Sequence, residues 1–178
     1  RPYSLVGVQK NFDNFFQTGN SFTNTLSLTG GSDRQTFRFS FSDLRSTGVI
    51  PNTGFDRKNV SFSTNGKFGK KVTFNAKILY SNEDAKNRPM VSDSPGNAVQ
   101  GLMVLPPNYD INDMKGDPNK LGAVASDVTT VDGKRTGEEY QLSDNLWNQN
   151  PWWAAYQFIN NSVRDRLITS ATLRYDIN

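Results

Sequence analysis

A strict alternation of apolar and polar residues is the feature that most constrains the fold of this chain. In "QTFRFSFSDL", Phe37, Phe39 and Phe41 alternate with polar residues. Successive side chains of a β-strand point to opposite faces, so this period of two predicts a strand with one apolar and one polar face. Four further segments repeat the pattern: "SFTNTLSLTGG", "KNVSFSTNGKF", "VTFNAKILYS" and "RLITSATLRYDI". The sequence therefore predicts an all-β fold with about five antiparallel strands of roughly ten residues each.

Turn and loop segments divide the chain into four parts. "GGSDR" and "GKK" are short turns, "RSTGVIPNTGFDR" is a longer loop, and the segment that follows the fourth strand is rich in Asn, Asp, Gly and Pro. Within that segment only "NAVQGLMVLPP" suggests a helical turn or two, ended by Pro106. We predict a loop over 1–20, strands with short turns over 21–81, a long loop over 82–164 and a last strand over 165–178. A loop of that length is uncommon in a compact domain and is usually functional.

Composition excludes several classes of function. The chain has no Cys and no His, which removes disulfide frameworks, thiolate chemistry, the usual serine triads and the commonest metal ligand. Its 20 basic and 17 acidic residues are scattered, without the basic stripe expected for nucleic-acid binding. No apolar run approaches the roughly 20 residues of a spanning helix. We predict a protein that is not an enzyme. The opening "RPYSLVGVQK" is no signal peptide, so an exported parent would carry further N-terminal sequence.

Two architectures explain such strands. In a soluble sandwich the apolar face packs on a second sheet, whereas in an outer-membrane barrel it meets lipid and the polar face lines a watery lumen. Strand length, the alternation of short and long connections, and aromatic residues near strand ends (Phe22, Phe68, Tyr80 and Tyr175) favour the barrel. Five strands cannot close a barrel, so the barrel interpretation requires a longer polypeptide.

The two architectures differ in a testable way. A set of apolar side chains should face lipid in the barrel and be buried in the sandwich: Phe37, Phe39, Phe41, Val60, Phe62, Phe74 and Ile78. A Phe39→Arg change would accordingly block membrane assembly in one case and disrupt a core in the other.

An ordered set of motifs resembles a known family. The motifs are "FFQTGNSFTNTLSLTGG", "FRFSFSDLRSTGVIPN", "AKNRP" and "NPWWAAYQFINNSVRDRLITSATLRYDI". Together they resemble the SusC-like TonB-dependent transporters of the Bacteroidetes outer membrane. The resemblance runs from Asp13 to the end of the chain, and over 91–148 it is loose, carried only by "LPPNYDINDMKG". The family's plug domain, its TonB-contacting segment and most of its barrel strands have no counterpart here.

The resemblance implies a fold, a location and partners. It implies an early segment of a 22-stranded barrel with an internal plug, lying in the outer membrane of a Gram-negative bacterium with its loops outside the cell. The function implied is TonB-driven import of glycans or peptides, with a SusD-like surface lipoprotein as a lid. The remaining partners implied are the TonB complex, the rest of the barrel and plug, and outer-membrane lipid. The alternative function is that of a soluble carbohydrate-binding β-sandwich.

The stretch "NPWWAAYQFINN" is the best candidate for ligand contact. It is open to three interpretations: the start of a helix, a sugar-binding platform, or the rim of a membrane-embedded structure. Asn150 and Pro151 suggest an extended turn there. Aromatic rings offer a large contact area at low entropic cost, and here they either pack the loop or stack on substrate. The candidates for substrate binding are Trp147, Trp152, Trp153 and Tyr156.

Charged residues supply three further hypotheses. The polar faces of the strands carry four cations that would line the lumen in the barrel interpretation: Arg38, Lys67, Lys77 and Arg174. A weak calcium-binding pattern, without the spacing of an EF-hand, is formed by Asp110, Asn112, Asp113 and Asp117. A glycosidase-like pairing among Asp132, Glu138 and Glu139 is conceivable but nothing fixes the separation of these carboxylates, and we otherwise predict no cofactor.

Overall fold

A computed structural model describes residues 7, 10–112, 114–115, 130–131, 134–135 and 149–177. In this part of the chain the strands are β1 (Asn20–Ser32), β2 (Gln35–Thr47), β3 (Gly54–Phe68), β4 (Val72–Lys86), β5 (Thr130–Val131), β6 (Lys134–Arg135) and β7 (Ser162–Tyr175). The helices are α1 (Asn11–Phe15), α2 (Ala98–Met103) and α3 (Pro151–Gln157). None of the described helices is long and apolar enough to cross a membrane.

The chain divides into two compact units. The sheet unit comprises Ser21–Ser46, Phe55–Ala85 and Ser162–Asn178, and the loop unit comprises Arg1–Asn20, Thr47–Gly54 and Lys86–Asn161. The segments of the loop unit are the connections between strands. One precedes β1, one joins β2 to β3 and one joins β4 to β7.

The sheet unit is a five-stranded antiparallel sheet, as the alternation predicts. Its strand order is β1-β2-β3-β4-β7, so each strand pairs with its predecessor in the sheet. In the β4–β7 ladder, Val72 lies opposite Tyr175 at one end and Ala85 opposite Ser162 at the other. The sheet is open, and in the described part of the chain β1 and β7 form its two edges.

The polar residues of neighbouring strands lie on a common face. The Ser40 hydroxyl of β2 lies 2.7 Å from the Ser61 hydroxyl of β3, and the Thr25 hydroxyl of β1 donates to Ser42 at 3.3 Å. Every second residue shares a face, so these contacts align the polar residues of β1, β2 and β3. The β4–β7 register continues the face, because Lys77 lies opposite Ser170.

The apolar face is equally continuous. Phe68 of β3 stacks on Phe74 of β4 with ring centroids 5.1 Å apart. The Phe74 ring also lies over Gly66, where an added Cβ would come within 2.5 Å of it. Gly30 lies under Phe37 in the same way, with a corresponding distance of 2.7 Å. Glycine at these two positions lets a cross-strand aromatic ring lie flat against the backbone.

The strands are longer than the alternation predicts. β4 continues to Lys86 and β7 begins at Ser162, so the connecting loop is shorter than the 82–164 segment. The predicted 45–57 loop is also shortened, because β2 takes up 45–47 and β3 takes up 54–57. Apolar alternation stops at these ends, where most residues are polar or charged. The backbone ladder does not stop, because inter-strand hydrogen bonding depends on pairing and not on side-chain polarity.

The loop unit has a hydrophobic core of its own. Its buried apolar residues are Phe15, Ala98, Leu102, Ile111, Met114, Trp152, Ala154 and Ala155. α2 packs on α3, and Gly101 permits the approach, because a Cβ there would come within 2.2 Å of the Gln149 carbonyl oxygen. The predicted helical turn in "NAVQGLMVLPP" is confirmed as α2, with Asn97 as its N-cap.

Asparagine side chains hold the irregular backbone of the loop unit. Asn11 binds two backbone groups at once, donating to the Tyr109 carbonyl at 2.8 Å and accepting from the Ile111 amide at 3.0 Å. The amides of Asn52 and Asn87 both donate to the Ala155 carbonyl, at 3.0 and 2.7 Å. These bonds satisfy backbone groups that lack helix or sheet partners.

Candidate functional site

The apolar face of the sheet unit presents large side chains at its surface. The exposed ones are Phe22, Leu26, Leu28, Phe37, Phe39, Phe41, Phe62, Phe68, Ile78, Tyr80, Leu167, Leu173 and Tyr175. Leu173 is 73% exposed and Leu26 is 68% exposed. Val60 and Phe74 are half-buried. Both belong to the seven side chains that should face lipid in the barrel and be buried in the sandwich. Scattered exposed apolar residues are normal, but a contiguous apolar face marks an interaction surface.

The four predicted lumen-facing cations lie on the opposite, polar face. Arg174 lies opposite Thr73 and Lys77 opposite Ser170, while Arg38 and Lys67 share the parity of the Ser40–Ser61 contact. All four are exposed. Arg174 makes an ion pair with Asp176 at 2.9 Å. That this face lines a lumen stays a prediction.

A cavity of about 200 Å³ opens on the same polar face, across β3, β4 and β7. Its charged lining residues are Arg57, Glu83 and Arg166, and Arg164 lies directly opposite Glu83 in the β4–β7 ladder. These four residues, which we call the arginine pocket, carry three positive charges and one negative charge.

The cations of the arginine pocket make no ion pair with any described residue. The ion pairs among the described residues are Arg45–Asp43 and Arg174–Asp176, and neither involves the pocket. The Arg57 Nε atom is buried and has no hydrogen-bond partner. A buried donor that is left unpaired costs about 1–3 kcal/mol, and a ligand acceptor would remove that cost.

The rest of the cavity lining is part polar and part aliphatic. Asn59 and Ser81 supply an amide and a hydroxyl, and Ser81, which is only 7% exposed, lies opposite Arg166. Leu79 and Ile168 lie opposite each other one step further along the ladder. The cavity therefore joins a cationic end to an aliphatic end.

Sequence reasoning did not identify the arginine pocket as a site. Arg57 falls in a segment predicted to be a loop, and Glu83 and Arg164 fall in the predicted 82–164 loop. The signal was present in the alternation, because Arg57 and Asn59 keep the parity of Ser61. This signal was hard to see, because at the strand ends charged residues also occupy the positions that are apolar elsewhere in the strand.

Trp152 is a core residue of the loop unit. It is 3% exposed, and its Nε1 donates to the Ile111 carbonyl oxygen at 2.8 Å. Phe15 meets its ring edge-on at 5.0 Å, and the Lys115 ammonium lies 4.6 Å from its centroid. No ring face of Trp152 is open for stacking on a ligand, so the structure favours its packing role over the predicted substrate contact.

The remaining aromatic candidates differ from Trp152. Trp153 is half-buried, packs edge-on against Phe158 at 6.1 Å, and has a buried Nε1 without a partner. Tyr156 is half-buried against the core, 6.4 Å from Trp152. Their role in substrate binding stays a prediction, and Trp147 lies outside the described residues.

The stretch that contains these aromatic residues forms α3. The extended turn that the sequence suggested is limited to Asn150, the residue that precedes the helix. Asn150 has extended backbone angles and caps the helix, accepting from the Trp152 amide at 3.0 Å, and Pro151 occupies the first helical position. Of the three interpretations of this stretch, the structure shows the start of a helix.

The predicted acidic sites fall largely outside the described residues. Asp110 accepts from the Asn112 amide at 2.9 Å, as in an Asx turn, and Asp113 and Asp117 lie outside the described residues. Asp132, Glu138 and Glu139 also lie outside them. Within the described ranges, no group of three acidic side chains is placed to hold a metal ion.

Comparison with protein-family models and with curated proteins finds no match to this chain.

Proposed function

We propose that this chain is a strand segment of an outer-membrane β-barrel that imports nutrients. The observation that carries the proposal is the exposed apolar face of the sheet unit, together with the polar opposite face. A sheet with these two surfaces matches a barrel wall, which is apolar toward lipid and polar toward its interior.

The apolar face has the extent of a membrane band. On β4 it runs from Val72 to Tyr80, about nine residues and roughly 26 Å of strand, which is near the length of a transmembrane strand. Aromatic residues stand at its limits, as in interfacial girdles: Phe68 and Tyr175 lie near one end and Tyr80 near the other.

Charged and amide residues replace apolar ones on the same face beyond Tyr80. Asn82 and Tyr80 both donate to the same carboxylate oxygen of Asp165, at 2.8 and 2.7 Å. The corresponding ends of β2 and β3 carry Asp43, Arg45, Asp56 and Lys58. This change from apolar to charged residues supports a boundary between lipid and water at that level.

The alternative, a soluble carbohydrate-binding β-sandwich, requires the apolar face to be buried. Phe37, Phe39 and Phe41 are 37–39% exposed, and Phe62 and Ile78 are 41% and 48% exposed. The burial of Trp152 also removes one of the three tryptophans of its supposed sugar platform. These observations weigh against the sandwich.

The resemblance to SusC-like transporters refines the proposal. On that basis the parent protein would take up glycans or peptides in a TonB-dependent manner, with a SusD-like lipoprotein as its lid. Its loops would be extracellular, and the polar face would border the lumen and the plug. The loop unit, which has a packed core of its own, would belong to the extracellular part.

Fractionation of the source cells tests the proposal. An antibody against residues 30–80 should detect a polypeptide of about 100 kDa or more in the outer-membrane fraction, the size expected for roughly 22 strands and a plug. Extraction with detergent but not with high salt should release it. A soluble band near 20 kDa would overturn the barrel proposal and leave the sandwich.

A further inference from the structure

We propose that the arginine pocket is a binding site for a sugar acid, a hydroxyl-rich ring that bears a carboxylate. This inference goes beyond the barrel proposal and depends only on the geometry of the polar face. It would hold for a protein in any cellular compartment.

The charge of the arginine pocket selects an anion. Arg57 and Arg166 line the cavity together with the single carboxylate of Glu83, and Arg164 lies opposite Glu83 in the β4–β7 ladder. Among the described residues, none of these three arginines makes an ion pair within 4.0 Å. Guanidinium groups bind carboxylates in a planar, bidentate manner. The orphaned Nε of Arg57 is a donor still in need of an acceptor.

The remaining lining selects a hydroxylated body for that anion. Glu83 accepts hydrogen bonds but repels a bare anion, so it favours a ligand that brings hydroxyl donors beside its charge. Asn59 and Ser81 can each donate to or accept from a hydroxyl group. Leu79 and Ile168 offer an apolar surface to the C–H groups of a ring.

The size of the cavity is consistent with one sugar ring. Its volume of about 200 Å³ lies below the usual range of about 300–1,000 Å³ for sites that hold drug-sized ligands. A single ring therefore fits better than an extended oligosaccharide, of which it would hold only one acidic unit.

Calorimetric titration of the full-length protein, purified from the fraction that contains it, tests this inference. The probes are galacturonate, its neutral counterpart galactose, and inorganic phosphate. We expect galacturonate to bind, galactose to bind at least about tenfold more weakly, and binding of galacturonate to weaken as ionic strength rises. Phosphate should bind more weakly than galacturonate, because it has no ring to pack on Leu79 and Ile168 and fewer hydroxyl groups to pair with the polar lining.

Matched variants separate the pocket from general charge. Arg57→Gln and Arg166→Gln should each raise the Kd for galacturonate about tenfold or more. Arg34→Gln, which makes the same change of charge in the exposed β1–β2 turn, should change it less than about twofold. Circular dichroism and thermal melting would verify that each variant is folded.

Several outcomes would overturn the inference. One is the absence of galacturonate binding at millimolar concentration, and another is equal Kd values for the Arg166 and Arg34 variants. Equal affinity for galactose would show that the arginines do not contribute to recognition of the carboxylate. Equal or tighter binding of phosphate would show that the pocket does not select sugar acids. None of these outcomes bears on membrane location, which fractionation tests separately.

Discussion

Trp152 is the one buried aromatic residue of "NPWWAAYQF". We expect Trp152→Phe to destabilise the unit by about 1–3 kcal/mol, because the change leaves the Ile111 carbonyl oxygen buried without its donor. Trp153→Phe is the matched control. Its Nε1 has no partner to lose, so the hydrogen-bond part of the cost should be absent. Hydrogen exchange of the amides of residues 98–103 in each variant measures the difference. Equal protection in the two variants would contradict the argument.

Two adjacent tryptophans with opposite environments mark a limit of sequence reasoning. "NPWWAAYQF" predicts neither which indole is buried nor what its Nε1 binds, because both depend on the 98–115 segment that packs against α3. The cap could have been predicted, although the sequence analysis interpreted Asn150 and Pro151 as an extended turn. Asparagine followed by proline satisfies the requirements of the first helical positions through local geometry alone.

Asn87 combines a strained backbone with three hydrogen bonds. Its φ of 47° lies in the left-handed region, its side chain binds the Ala155 carbonyl and the Asn160 amide, and its own amide donates to Asn161. Asn87→Gly and Asn87→Ala both remove the side-chain hydrogen bonds, but only glycine adopts the left-handed conformation without a steric cost from a Cβ. We therefore expect the alanine variant to be less stable by about a further 1 kcal/mol. Urea denaturation compares the two, and a more stable alanine variant would contradict the strain.

At the scale of the element, the two faces of β4 have opposite requirements. In the barrel interpretation, Ile78→Arg places a charge in lipid at a cost of roughly 2–4 kcal/mol near the midplane. Asn75→Arg adds the same side chain on the polar face of the same strand, where Asn75 is exposed opposite Thr172.

We expect Ile78→Arg to reduce the amount of protein assembled in the outer membrane and Asn75→Arg to leave it near the wild-type level. Quantitative blotting of membrane fractions after urea washing measures assembly. Loss of assembly in both variants would indicate general sensitivity to added charge. Normal assembly in both would contradict lipid contact at Ile78.

The faces of the strands were predictable from sequence, and their ends were not. The apolar face of β2 is evident from Phe37, Phe39 and Phe41 alone, because every second side chain of an extended backbone points to the same face. Asn82–Lys86 and Ser162–Arg166 are strand as well, but they are mostly polar and therefore resemble a loop. Only the pairing of β4 with β7 identifies them as strand. The two segments lie some 80 residues apart, and their pairing cannot be predicted from the local sequence of either one.

At the scale of the whole molecule, the separation into a sheet unit and a loop unit was only partly predictable. A long irregular segment was evident, but its packed core was not, since Phe15, Ile111 and Trp152 come from three distant segments. The arginine pocket has the same origin. Arg57, Glu83 and Arg166 lie on three strands, and their proximity is a product of register.

The two units also permit a test of whether the strands assemble without the loop. The last pair of the β4–β7 ladder is Ala85 with Ser162, and the next residues outward are Lys86 and Asn161. Asn87, which comes after Lys86, already has a positive φ. Replacement of residues 88–160 by one glycine would join the strands through Asn-Gly, the sequence preferred in a two-residue type I′ hairpin.

We expect the shortened protein to assemble in the membrane, because the strand ladder and the apolar face remain intact. It should lose the stability contributed by α2 and α3, and the residues 7–20 and 47–54 should become sensitive to protease. Blotting of membrane fractions and limited proteolysis measure the two effects, with a scrambled 88–160 segment of equal length as control. Failure of the shortened protein to assemble, with assembly of the scrambled one, would show that loop length is required for strand pairing. Failure of both would show that the sheet requires the folded loop unit. The β4–β7 ladder would in that case depend on the core to which Phe15 and Trp152 belong.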